Sequence, residues 1–83
     1  MSFMDDMDDA ATRLFKLEKK LKHPGSLVVR EVIRFARYYD TGRTKRCIEN
    51  NREELKKFPD IYCVCAEIEA IIAAKEGQDD PER

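Results

Sequence analysis

The chain has 83 residues, 40% of them charged and 42% hydrophobic, with a net charge of −1. These figures describe one small domain with enough apolar content for a core, and they argue against a wholly disordered chain. No apolar run approaches the ~20 residues of a membrane span, and three cysteines in an odd count give no disulfide framework.

The first predicted helix covers 5–22, where Met7, Ala10 or Ala11, Leu14, Leu17 and Leu21 recur at three- and four-residue spacing. Acidic residues open it and Lys19, Lys20 and Lys22 close it, as the helix dipole favours. His23-Pro24-Gly25 supplies the stop. The second helix, 26–40, suits an N-cap at Ser26. Val28, Val32, Phe35 and Tyr39 line its apolar face, flanked by Val29, Ile33 and Ala36, while Arg30, Arg34 and Arg37 recur on the opposite face. Gly42 is expected to supply the positive φ of the turn. The third helix, 44–57, has a thin apolar set of Cys47, Ile48 and Leu55, with Phe58 beyond it, so it should lie on the outside. Pro59-Asp60 starts the last helix, 60–76, with Gly77 as its stop.

That last segment is apolar nearly all round. Ile61, Val64, Cys65, Ile68, Ile71 and Ile72 form one wide face, and Tyr62, Cys63, Ala66, Ala70, Ala73 and Ala74 lie on the other side. Such a helix wants burial on more than one side, so Tyr62, Ala66, Ala70 and Ala73 are the candidate surface for self-association. No stretch alternates strictly enough for a strand. The fold class is all-α: four short helices in an antiparallel bundle or helical-hairpin arrangement, with one domain over 1–77 and a disordered tail over 78–83. Phe35 and Ile68 are expected in the core, and Arg34 at the surface.

The second and third helices carry a resemblance across residues 30–60. Val32, Phe35, Ala36 and Tyr39, then Cys47, Ile48 and Leu55, then Pro59-Asp60 resemble a divergent tetratricopeptide repeat, with Gly42 in the place of its loop glycine. The turn from Tyr39 to Cys47 is short for that pattern, and Asn51 and Glu54 depart from its usual aromatic and small residues. The resemblance implies a protein-interaction scaffold without enzymatic activity.

Nothing in the residues themselves spells catalysis. Glu67 and Glu69 are two apart on a helix and diverge, the only histidine sits in a turn, and no Gly-rich phosphate loop is present. Cys63 and Cys65 point to nearly opposite sides of their helix, about 200° apart, which suits buried free cysteines behaving as small apolar residues better than a metal chelate. No cofactor, metal or small-molecule substrate is therefore expected. The acidic opening Met-Ser-Phe-Met-Asp-Asp is unlike a targeting peptide and gives a cytoplasmic expectation.

Charge is segregated along the chain. Residues 1–12 carry −4, residues 13–46 carry eleven Lys or Arg against three acidic residues, and residues 47–83 carry five basic against ten acidic. Either the ends fold back over the basic middle, or the middle is a binding surface. Arg30, Arg34, Arg37, Arg43 and Tyr38 are the candidate partner-binding residues. The leading expectation is a non-catalytic protein-interaction module or adaptor that self-associates through its last helix. The alternative is a nucleic-acid-binding protein, in which that stripe, continued by Lys45 and Arg46, follows phosphates while Tyr38 stacks on a base. A helix-turn-helix would want a small residue where Tyr38 stands.

Overall fold

A computed structural model describes residues 2–21 and 26–78. It contains five helices, and no strand among the described residues: α1 (Phe3–Glu18), α2 (Ser26–Arg37), α3 (Thr41–Asn50), α4 (Arg52–Leu55) and α5 (Pro59–Gln78). α1 packs against α2 on one side and α5 on the other. α3 completes the ring by packing on α2 and α5, and α4 bridges α3 and α5. The molecule measures 45 × 23 × 19 Å along its principal axes.

Helix ends explain most departures from the expected boundaries. α1 begins two residues early because the Ser2 hydroxyl caps it, accepting from the Asp5 N–H at 3.1 Å. It ends at Glu18, short of the expected stop at 22, and His23-Pro24-Gly25 lie outside the described residues. The side chain of Ser26, the expected cap of α2, lies outside them too.

Gly42 does not supply the positive φ of the turn after α2. Tyr39 does, at φ 57°, and Gly42 lies within α3. Tyr39 N–H donates to Ala36 C=O and Asp40 N–H to Phe35 C=O, both at 3.0 Å. This is the paired bonding of a Schellman cap, with a tyrosine where glycine is usual. Its steric cost is offset by side-chain contacts. The Tyr39 hydroxyl donates to the Asp8 carboxylate at 2.8 and 3.0 Å, and its ring lies 6.4 Å from that of Phe3. Asp40 is then free to cap α3, its carboxylate accepting from the Arg43 N–H at 3.0 Å. That cap draws the start of α3 back from 44 to Thr41.

The expected third helix is interrupted at Asn51, so the count is five rather than four. Asn51 sits at φ −119°, ψ 21°, and its side-chain amide donates to Cys47 C=O at 2.8 Å. This side-chain bond to the preceding turn competes with continuous helix. α5 in turn runs through Gly77 to Gln78, and the rest of the expected tail lies outside the described residues.

The core is built from Met7, Ala10, Ala11 and Leu14 of α1, Val29, Val32, Ile33 and Ala36 of α2, Ile48, Leu55, and Ile61, Val64, Cys65, Ile68 and Ile72 of α5. Phe35 is a correction. It is half-buried and stands outside this cluster, because the buried face of α2 is centred on Val29, Ile33 and Ala36. Cys63 is another: it is exposed, whereas Cys65 is buried.

Three ion pairs anchor α5 to its neighbours. Arg13 of α1 grips Glu67 with two bonds, at 2.8 and 3.1 Å. Arg52 of α4 reaches Glu69 at 2.6 Å and also donates to the Tyr62 hydroxyl at 2.9 Å. Lys45 of α3 meets Glu76 at 3.1 Å. The acidic end of the chain thus folds back over part of its basic middle. Among the described residues no helix is long and apolar enough to cross a membrane.

Candidate interaction groove

An open groove of about 680 Å³ lies between the C-terminal half of α1 and the outer side of α2. Phe15 and Leu21 from the α1 side and Ile33 from α2 give it an apolar lining. Lys19, Arg30, Arg34, Arg37 and Tyr38 surround that lining, with Glu18 beneath them. The helical spacing of Arg30, Arg34 and Arg37 turns three guanidinium groups to one side of α2. Lys19 is brought opposite them by the packing of α1 on α2.

The charges here are unequally matched. Glu18 is buried at 6% exposure, and its carboxylate accepts from Arg30 Nε at 3.3 Å. Arg34 lies 3.6 Å from Glu31 of its own helix. Lys19 and Arg37 meet no carboxylate among the described residues. Both instead lie against one ring: Lys19 Nζ is 4.8 Å and Arg37 Cζ 5.2 Å from the Phe15 centroid. The two cations on that ring are at most about 10 Å apart, against a Debye length of about 8 Å at physiological salt, so their mutual repulsion is weak. A bound anion would relieve that repulsion.

Four of the five expected partner-binding residues therefore line one groove: Arg30, Arg34, Arg37 and Tyr38. Arg43 does not. It shares the Phe35 ring with Arg34, the two Cζ atoms 6.0 and 5.6 Å from its centroid, and it lies 3.6 Å from Asp40. Phe35 is thus a shelf for two arginines at the surface. Phe15, Glu18 and Lys19 were not among the expected partner-binding residues. The four-residue step from Phe15 to Lys19 is visible there, but the approach of Arg37 to Phe15 is a tertiary contact with no local signal.

On α5, Ala66, Ala70 and Ala73 are exposed together with Cys63 and Ala74, forming a smooth outer face. Tyr62 lies at its edge, half-buried against the core, with its hydroxyl engaged by Arg52. The thiols differ in their surroundings. Burial pushes Cys65 up to about 12 and raises Cys47 as well, so both stay protonated and unreactive near neutral pH. Among the described residues no three Cys, His, Asp or Glu side chains converge on a metal position.

Compared with protein families, curated proteins and solved structures, the chain has no significant match in any of the three.

Proposed function

We propose that this chain is a small non-catalytic protein-interaction module of the cytoplasm. It binds a partner protein in the α1–α2 groove and associates with a second copy through the outer face of α5. The observation that carries the reading is the pair Lys19 and Arg37, held over Phe15 without a carboxylate beside an apolar lining. Apolar floors with charged rims are how folded domains take up partner helices. The resemblance of α2 and α3 to a tetratricopeptide pair points the same way. Small exposed residues at Ala66, Ala70 and Ala73 suit close approach of a second helix.

A second reading is nucleic-acid binding through Arg30, Arg34 and Arg37, favoured by the 77% exposure of Tyr38 at the end of that stripe. Light scattering across a concentration range, run beside titration with single-stranded and duplex DNA, separates the two. The interaction reading expects mass to rise with concentration in the wild type and to remain that of one chain in Ala70→Glu. Constant single-chain mass, together with DNA binding that Arg30→Gln abolishes, would replace it with the second reading.

A further inference from the structure

We infer that the occupant of the α1–α2 groove is an amphipathic helix of a partner protein carrying Asp or Glu beside its apolar stripe, an inference that rests on the interaction reading above. Charge complementarity is the main argument. Around α5, opposite charges meet: Glu67, Glu69 and Glu76 each find a cation on another helix. Lys19 and Arg37 are the exception in the groove, two like charges gathered on one ring and left without a counter-ion among the described residues. A carboxylate entering the groove would give either cation a counter-ion, and charge-assisted bonds of this kind are stronger than neutral ones.

The rest of the groove specifies what accompanies that carboxylate. Leu21 and Ile33 offer apolar contact, so the ligand needs apolar side chains on the same face as its acid. The stretch of α2 from Arg30 to Arg37 rises about 10 Å, or roughly two helical turns. A helix of that contact length presents two or three apolar anchors at i, i+3 or i+4, and i+7, with acidic residues along their flanks. A phosphate backbone would use the cations but leave this aliphatic lining unfilled. It would also approach a helix whose other end carries Asp5, Asp6, Asp8 and Asp9.

The test is selection of a displayed random-peptide library on the folded full chain, followed by affinity measurement of the enriched peptides. The expected result is enrichment of Asp or Glu flanking apolar residues at helical spacing. Binding should weaken at least about tenfold in Lys19→Glu/Arg37→Glu and fall with added salt. The milder Lys19→Gln/Arg37→Gln variant should weaken it less, with circular dichroism unchanged in both. Enriched peptides without acidic residues, or ones indifferent to these substitutions, would overturn the inference while leaving a protein-interaction module intact. A selection that enriches nothing, with the chain monomeric at every concentration, would overturn the inference and the reading on which it rests.

Discussion

The seams around α5 and the groove between α1 and α2 use the same side-chain types in opposite ways. Along α5, Arg13, Arg52 and Lys45 each face a carboxylate from a different sequence position, and the contacts fasten α1, α4 and α3 to one helix. In the groove, Lys19 and Arg37 converge on the Phe15 ring without such a partner. The contrast separates charge that closes the fold from charge that the fold holds out to something else. Exposure alone would not have made the distinction, because Arg13 and Lys45 are themselves more than 40% exposed.

The largest effect should come from beneath the seams. Ile68 is fully buried on α5, and Ile68→Ala should cost roughly 2–5 kcal/mol by urea denaturation. Phe35 stands outside the core cluster, so Phe35→Ala should cost clearly less than Ile68→Ala. Equal losses would mean that the arginine shelf on α2 is as structural as the core.

Much of this architecture was legible in the sequence. The isoleucines of α5 recur with helical period, and the residues expected on its inner face are the ones that pack, with Ile71 half-buried at the margin. Capping was the weak point. Ser2 and Asp40 are short polar residues three positions before the backbone N–H they bind, a local signal that could have been used. The left-handed tyrosine could not have been read locally, since Phe3 and Asp8 support it from another helix. Glu18 was hidden for a related reason. A glutamate reads as solvent-facing until Arg30 is placed beside it. The arginine row was visible, whereas the groove required knowing that Phe15 passes beneath Arg37.

A smaller effect tests the turn that connects the groove helix to its neighbour. Gly42 is helical, and a Cβ there would come no closer than 4.0 Å to the nearest side-chain atom, Oδ1 of Asp40. Gly42→Ala should therefore stabilise the protein by about 0.4–1 kcal/mol, through the lower entropy of the unfolded chain. A loss of stability would restore Gly42 to the role of turn residue and undermine the assignment of that role to Tyr39.

The seam pair also carries a pH signature. Hydrogen bonding from Arg13 holds the Glu67 carboxyl below its ordinary value. Its stabilising contribution is therefore full above the unfolded glutamate value of about 4.3, and it is lost as pH falls through the lower folded-state value.

The most direct measurement compares urea midpoints of two double variants, Arg13→Gln/Lys45→Gln in the seams and Lys19→Gln/Arg37→Gln in the groove, at neutral and acid pH. Exposed pairs are individually weak, so the seam variant should lose a few tenths to about 1 kcal/mol per pair at neutral pH. It should lose less than the wild type does on acidification. The groove variant should lose no more than its two exposed cation–π contacts, about 0.5–1 kcal/mol each, and should lose the same at both pH values because no carboxylate pairs with Lys19 or Arg37 among the described residues. A groove variant whose loss shrinks on acidification as the seam variant's does would contradict the account, for it would mean that carboxylates of this chain already pair with Lys19 and Arg37.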